Sequence, residues 1–199
     1  MHRLSSFLLL VSGYFALAFA GLLQRSCINK DCSALRVSFD NPPINLFNAP
    51  SISEINAFLT SLRGTNTSTK VVVFSSSVPG FFGSHLDLHL LDGSTNSSAI
   101  NSTAVLDQYY DNIELLVSLP TIFIAEVNGR TWGCGDEHLL RMDMRFAGPD
   151  AQFSAPEASL GVLHVGGLQQ LVQLVGPGLA AEYMLSSAQV DAQEAARIG

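Results

Sequence analysis

The fold is decided by the stretch Pro120-Thr-Ile-Phe-Ile-Ala-Glu-Val-Asn-Gly129-Arg-Thr-Trp-Gly-Cys-Gly-Asp-Glu137. Residues 121–127 are mostly apolar and rich in strand-forming side chains, which is typical of a strand buried on both faces. Three glycines and the start of a helix follow. Such a turn leaves backbone N–H groups facing open space, and the start of a helix favours negative charge. The stretch therefore predicts a buried strand that ends in an anion-stabilising turn.

Strands and helices alternate on both sides of this stretch. Strands are predicted at residues 34–39, 71–74, 145–147 and 152–154. Helices are predicted at 51–62, where Ser51 and Glu54 form a capping box, at 99–119, at 136–142, and in three pieces at 168–175, 178–185 and 191–198. This alternation predicts an α/β fold with parallel strand pairing.

The composition excludes several classes of protein. With 199 residues, 47% of them hydrophobic and 14% charged, the chain can bury one compact core and is not a disordered protein. Ten Lys and Arg against seventeen Asp and Glu give a net charge of −7. Nucleic acid is therefore not expected as a partner, because no basic surface is available to neutralise its phosphates.

Residues 1–20 have the pattern of a secretory signal peptide, with an apolar run that ends at Ala18-Phe19-Ala20. A helix of the fold and a retained membrane anchor are the alternatives. Counted from Phe7 to Leu23, the apolar run is still shorter than the roughly 20 residues that span a bilayer. We therefore expect cleavage and no stable membrane insertion. Sequons at Asn66, Asn96 and Asn101 favour a glycosylated protein of the secretory pathway.

Two cysteines follow this leader. Cys27 and Cys32 lie in residues 21–33, a segment that we interpret as a spacer, and an oxidising compartment would allow them to form a small disulfide loop. The domain itself is expected at residues 34–199.

Two carboxylates stand near glycine-rich turns. Glu137 lies in the first turn of the helix predicted at 136–142, and Glu157 follows the strand predicted at 152–154. A second glycine-containing turn, residues 81–88, follows the strand at 71–74. Paired carboxylates can divide acid and base roles if their environments separate their pKa values, although both could also be solvated surface groups.

Together these residues resemble the enoyl-CoA hydratase/isomerase (crotonase) family, part of the ClpP/crotonase-like superfamily. The resemblance covers roughly residues 35–199 and rests on motifs that occur in the family's order. They are Phe82-x-x-His-x-Asp87, Pro120-Thr-Ile-x-Ile-Ala-x-Val-Asn-Gly129, Gly133-x-Gly-x-Glu137, Asp143-x-Arg, Pro156-Glu157-x-x-Leu-Gly161, Gly166-Gly167 and Leu174-Val-Gly176.

The resemblance implies a crotonase-type ββα spiral that binds an acyl-CoA thioester. Its oxyanion hole would be the backbone N–H groups of Leu86 and Cys134. Glu137 would act mainly as the base on water, and Glu157 would exchange the proton at the α-carbon. Coenzyme A would enter only as part of the substrate, with no separate cofactor.

Other residues of the same motifs are expected to line the substrate site: Phe82, His85, Asp87, Gly133, Gly135, His164 and Gly166. No metal is expected, because His85, His89, His138 and His164 match no ligand spacing and are better interpreted as unrelated.

The chain also departs from the family pattern. Cys134 replaces a glycine and crowds the thioester; a nucleophilic role is the alternative, with His85 or His138 as its base. After Glu157 the loop is one residue shorter and lacks the family's arginine. Lysines are scarce, so the affinity for coenzyme A is expected to be poor. The chain stops where relatives continue into helices, so we expect the C-terminal part to be truncated and a trimer only with a complete C-terminus.

Two functions follow from these features. One is an enzyme that hydrates or isomerises a 2-enoyl-CoA. The other is a secreted, glycosylated pseudoenzyme that uses the fold as a binding or structural scaffold. The leader predicts the secretory pathway or the extracellular space, with the mitochondrion or peroxisome as the alternative if residues 1–20 are a different signal.

Overall fold

The computed structural model describes residues 21–64, 68–92 and 101–199. The predicted signal peptide and the sequon asparagines Asn66 and Asn96 lie outside this part of the chain. The third, Asn101, is exposed, and its side chain accepts a hydrogen bond from the N–H of Ala104 at the start of a helix.

The strands are β1 (Leu23–Cys27), β2 (Ala34–Phe39), β3 (Val71–Ser76), β4 (Gly80–Gly83), β5 (Ile122–Val127), β6 (Gly129–Trp132), β7 (Met144–Ala147), β8 (Gln152–Ser154) and β9 (Val190–Asp191). The α-helices are α1 (Ala49–Ser61), α2 (His89–Asp92), α3 (Ser102–Ser118), α4 (Cys134–Leu140), α5 (Leu168–Val175), α6 (Pro177–Ser186) and α7 (Ala192–Ile198), and a 3₁₀ helix covers Pro156–Leu160.

The strands form two sheets. The first has the order β1-β2-β3-β5-β7 and the second the order β4-β6-β8-β9. Within each sheet the pairs are parallel, except for β1 with β2 and β8 with β9. The prediction of an α/β fold with parallel sheets is confirmed.

The first sheet begins earlier than the sequence suggests. Strand β1 lies in the segment that we interpreted as a spacer and pairs with residues 35–39 of β2. A disulfide joins Cys27 to Cys32 directly after β1. These residues are therefore part of the fold. No helix in the described part of the chain combines the length and the apolar character needed to cross a membrane.

The hydrophobic core lies between the first sheet and the pair of helices α1 and α3. The central strands β3 and β5 supply Val72, Phe74 and Phe123, which are buried, as their continuous apolar runs predict. Phe39 on β2 stacks on Phe74 with 5.4 Å between ring centroids. The buried residues of β5 alternate along the strand and share one face, whereas Ile122 on the other face is 45% exposed. The prediction that residues 121–127 are buried on both faces is therefore wrong.

Helix α1 begins earlier than the predicted capping box. Asn48 is the N-cap: its side chain accepts from the N–H of Ser51, and the Ser51 hydroxyl accepts in turn from the N–H of Asn48. Glu54 instead accepts from the N–H groups of Leu22 and Leu23. The sequence motif was therefore misplaced by three residues, because Glu54 holds the chain before β1 rather than the helix start.

Candidate active site

Strands β4 and β6 bring two turns to one edge of the second sheet. Gly83 at the end of β4 pairs with Thr131 in β6, and both strands run in parallel. The turn after β6 approaches the turn after β4 so closely that a Cβ on Gly135 would collide with the backbone of Gly83. The N–H of Gly135 donates to the carbonyl of Ser84 at 3.1 Å, which fixes this approach. Sequence analysis predicted both turns but did not identify β4 or β6.

The turn after β6 also requires glycine at its first position. Gly133 has a φ of 57°, in the region that favours glycine. An added Cβ would lie 2.9 Å from Oε1 of Glu157 and 3.2 Å from Nδ1 of His85. The turn therefore places its backbone directly against the candidate catalytic side chains.

The structure brings Leu86 and Cys134 together. Cys134 is the first residue of α4, where backbone N–H groups have no partner within the helix. The backbone N–H of Asp87 donates to the carbonyl of Phe47 from one side of an extended segment. The N–H of Leu86, one residue earlier, therefore points to the opposite side. Both residues line one cavity, as two donors of an oxyanion hole must.

Glu137 is held in place by two hydrogen bonds. The N–H of Gly166 donates to its Oε1 at 2.9 Å, and the hydroxyl of Tyr109 donates to its Oε2. Its side chain is 5% exposed. Burial raises the pKa of Glu137, against the lowering effect of His164 and of the two donors. The carboxyl is thus preoriented and closer to exchanging a proton at neutral pH than a solvated glutamate.

Glu157 faces Glu137 from the 3₁₀ helix, with His164 between them. The Nδ1 atom of His164 lies 3.2 Å from Oε2 of Glu157 and 3.7 Å from Oε1 of Glu137. The Nε2 atom lies 3.4 Å from Oδ2 of Asp136. Burial alone would lower the pKa of His164, but the close carboxylates of Asp136 and Glu157, and then that of Glu137, raise it to about 10.

Glu137 and Glu157 border a cavity of about 790 Å³. It is enclosed mainly by apolar side chains from the turn after β4, from α3 and from the 3₁₀ helix and the loop after it. The lining residues include Leu86, Leu88, Leu91, Leu106, Tyr110, Cys134, Glu137, Glu157, Leu160, Val162, Leu163 and Val165. Leu163 is 80% exposed at the mouth. A mostly apolar cavity with a few convergent polar groups is typical of a site for a small organic molecule.

The remaining predicted site residues lie in different surroundings. His85 and Asp87 line the cavity, and His85 lies 5.9 Å from Trp132 between ring centroids. Burial lowers the pKa of His85. The Phe82 side chain is buried in the core, edge-on to Phe39 at 5.5 Å. The expected contact of Phe82 with substrate is therefore corrected to a packing role.

The Cys134 thiol is buried beside the oxyanion-hole donors. Burial, and then the charge of Glu137, raise its pKa well above the ordinary value. His138 does not act as its base: the Nδ1 of His138 lies 3.1 Å from the carbonyl oxygen of Cys134, and its ring packs on Phe47. Burial lowers the pKa of His138 to about 4. The environment keeps Cys134 a protonated thiol, which disfavours the nucleophile alternative.

Sequence analysis missed Tyr109 and Asp136. Tyr109 lies on the buried face of α3 with Val105 and Ile113, a helical spacing that marked it as inward-facing but not as a partner of Glu137. Asp136 is buried in α4, and burial raises its pKa. The position of Asp136 next to Glu137 in the sequence could have marked it as a site residue. Its contact with His164, however, forms only when the loop before α5 folds back against α4.

Known proteins resemble the chain over most of its length. The profile of the enoyl-CoA hydratase/isomerase family matches residues 30–199. A protein named "Probable enoyl-CoA hydratase 2, mitochondrial" from Arabidopsis thaliana is 32% identical over 171 residues, which is 85% of this chain and 56% of the relative. The crotonyl-CoA hydratase of Syntrophomonas wolfei is 29% identical over 168 residues, 83% of this chain and 63% of the relative.

Solved structures give the same result. DspI of Pseudomonas aeruginosa superposes with a TM-score of 0.78 at 27% identity, covering 92% of this chain and 74% of DspI. The chain spans between half and two thirds of the length of the first curated relatives. The matched profile covers most of the chain and the fold agrees with it, so the chain belongs to the enoyl-CoA hydratase/isomerase family.

Proposed function

We propose that the protein adds water to a 2-enoyl-CoA, or isomerises it, through an enolate held in an oxyanion hole. The observation that carries this proposal is that Glu137 and Glu157 border the same cavity as Leu86 and Cys134, whose backbone N–H groups supply the donors. Two carboxylates and two preorganised donors are the groups that such a reaction requires.

In this reaction the thioester oxygen accepts hydrogen bonds from the N–H groups of Leu86 and Cys134. Glu137 takes a proton from water while the water oxygen bonds to the β-carbon of the double bond. The electron pair moves onto the thioester oxygen as an enolate, which the two donors stabilise. Glu157 then gives a proton to the α-carbon. Water has added across the double bond, and proton exchange with solvent restores both glutamates.

The cavity supports an acyl chain better than it supports coenzyme A. Its described lining contains no Lys or Arg, so the phosphates of coenzyme A meet no cation there. We therefore propose a small apolar acyl group as the recognised part of the substrate and a weak contribution from the nucleotide. Assembly into a homo-oligomer of the trimer type is part of the same proposal.

The test is hydration of crotonyl-CoA, followed by the loss of ultraviolet absorbance of the conjugated thioester. The Glu137→Gln variant should lose about 10²–10⁴-fold in kcat, the usual contribution of a general base. Glu182→Gln is the matched control, because Glu182 is exposed on α6 and should leave the rate unchanged. Full activity in Glu137→Gln would reject the assignment.

A second candidate is a binding protein without turnover. It is favoured by the Cys134 side chain, which stands where the family pattern has glycine and lines the same cavity as Leu86. Saturable binding of crotonyl-CoA without hydration would support this candidate, and binding with turnover would exclude it.

The location of the protein is also a proposal. The name of the plant relative supports a mitochondrial protein, whereas the leader pattern and sequons of the sequence favour the secretory pathway. Fluorescent fusion to the C-terminus, with and without residues 1–20, distinguishes the two.

A further inference from the structure

Three side chains from separate elements converge at the base of the cavity. Glu137 comes from α4, Glu157 from the 3₁₀ helix and His164 from the loop before α5, and each offers one ligand atom within 4.8 Å of the others. We propose that Glu137, Glu157 and His164 bind a divalent transition-metal ion of the zinc type. This proposal departs from the expectation that no metal binds, which rested on the spacing of the four histidines alone.

The spacing of the donor atoms fits one ion. Ligand atoms around a tetrahedral ion with bonds of about 2.1 Å lie about 3.4 Å apart. The Nδ1 atom of His164 is 3.2 Å from Oε2 of Glu157 and 3.7 Å from Oε1 of Glu137. Small side-chain rotations therefore suffice to close the site around an ion.

The imidazole is oriented from behind by a carboxylate. Nε2 of His164 faces Oδ2 of Asp136 at 3.4 Å, which directs Nδ1 towards the two glutamates. Histidines that bind metals commonly use the other ring nitrogen to contact a carboxylate, which fixes the tautomer and the ring orientation. Asp136 is buried and thus serves as an outer-shell residue of the site.

The same atoms lack hydrogen-bond partners. His164 is 5% exposed, and its ring nitrogens lie 3.4 and 3.2 Å from carboxylate oxygens of Asp136 and Glu157. Within the described residues none of these four buried atoms makes a hydrogen bond of acceptable geometry. Buried polar atoms are nearly always satisfied by protein, water or an ion. Three carboxylates around one imidazole also carry more negative charge than that ring can balance, which a divalent cation offsets.

The donor set selects the class of metal. One imidazole with two carboxylates suits zinc and neighbouring transition metals, whereas magnesium and calcium prefer oxygen ligands alone. Three protein ligands leave a position open towards the cavity, which a water molecule or a substrate oxygen can take.

Metal binding does not depend on hydratase activity, but one consequence rests on the proposed function. With the ion bound, both glutamates become ligands and lose the lone pairs that exchange protons with water and the α-carbon. Zinc should therefore inhibit hydration of crotonyl-CoA, and a chelator should restore it.

The direct test is calorimetric titration of the chelator-treated full chain with zinc chloride in the absence of substrate, repeated with cobalt chloride and visible absorption. We expect one equivalent to bind and the cobalt form to show tetrahedral absorption bands. His164→Gln and Glu157→Gln should each weaken binding at least about 10-fold, and Asp136→Asn about 10–100-fold. His89→Gln, on the exposed helix α2, is the matched control and should bind as the parent does.

Stability measurements keep the test decisive. Thermal unfolding of each variant establishes that it is folded, and zinc should raise the Tm of the parent and of His89→Gln only. Absence of saturable zinc and cobalt binding, or binding that persists in His164→Gln and Glu157→Gln, overturns the site. Failure of the metal-free chain to hydrate crotonyl-CoA instead counts against the proposed function and leaves the binding result unaffected.

Discussion

Two segments border the cavity and differ in how they are held. Residues 129–140, covering β6 and α4, are almost entirely buried, and backbone hydrogen bonds join them to Ser84 and Ser154. Residues 156–168, by contrast, place Glu157 and His164 inside but expose Leu160, Val162 and Leu163. We call the first the buried turn and the second the exposed loop.

This difference indicates what each segment contributes to the site. The buried turn supplies Cys134 and Glu137 from a segment whose glycines the close approach requires, so changes at those glycines should destabilise the fold. The exposed loop supplies Glu157 and His164 from a segment with more exposed side chains. In the proposed reaction each segment provides one of the two glutamates.

The largest expected effect comes from breaking the buried turn. Gly135→Val places side-chain atoms against the backbone of Gly83, so we expect destabilisation of about 3 kcal/mol or more, or no folded protein. Urea unfolding measures it. Gly178→Ala is the control: nothing lies near an added Cβ in α6, and an unchanged or higher free energy of unfolding is expected. Equal stability of Gly135→Val and the parent would show that the close approach of Gly135 to the Gly83 backbone is not required for folding.

The next effect concerns the orientation of Glu137. Tyr109→Phe removes the hydroxyl that donates to Oε2, and we expect kcat for crotonyl-CoA hydration to fall about 10-fold, the value of one hydrogen bond to a charged group. Tyr110→Phe, on the same helix but 47% exposed, should change kcat much less. An equal effect of the two variants would show that Tyr109 does not position the base.

Cys134 allows a sharper test of the oxyanion hole. Cys134→Ala keeps the backbone N–H of residue 134 and removes the thiol from the cavity that Leu86 also lines. We expect kcat/KM to rise about three- to ten-fold, a fraction of the roughly 10²–10³-fold that one whole donor contributes. A fall in kcat/KM with unchanged stability would instead indicate that the thiol takes part in the reaction.

The smallest effect on stability is expected in the exposed loop. Leu163→Ser should change the free energy of unfolding by less than about 0.5 kcal/mol, because the side chain is 80% exposed. The KM for longer enoyl-CoA substrates should rise, since Leu163 lines the cavity mouth. Steady-state kinetics with two acyl lengths measures this, and an unchanged KM for both would place the acyl chain elsewhere.

The buried turn was also the part that the sequence predicted best. The glycines follow a local rule, since a tight turn needs glycine. In residues 121–127 the strand was predicted correctly, but its burial on both faces was not: Phe123, Ala125 and Val127 are buried and Ile122 is 45% exposed. The strand β6 was missed because Gly129–Trp132 alternates over only four residues. Phe82 was misassigned because a motif position does not show which way a side chain points.

The exposed loop could not be predicted in the same way. His164 and Asp136 are 28 positions apart in the sequence, and only the return of the chain between the 3₁₀ helix and α5 brings them to 3.4 Å. Tyr109 contacts Glu137 because α3 packs beside α4. Such contacts depend on tertiary packing, which spacing along the chain does not encode.

The central claim is that Glu137 and Glu157 act as one unit on water and the α-carbon. A double-mutant cycle with Glu137→Gln, Glu157→Gln and their combination, measured as kcat/KM for crotonyl-CoA, tests it most directly. We predict that each single variant loses about 10²–10⁴-fold and that the double variant loses little more than the worse single one. Either single variant with activity close to that of the parent, or losses that simply multiply, would contradict the account.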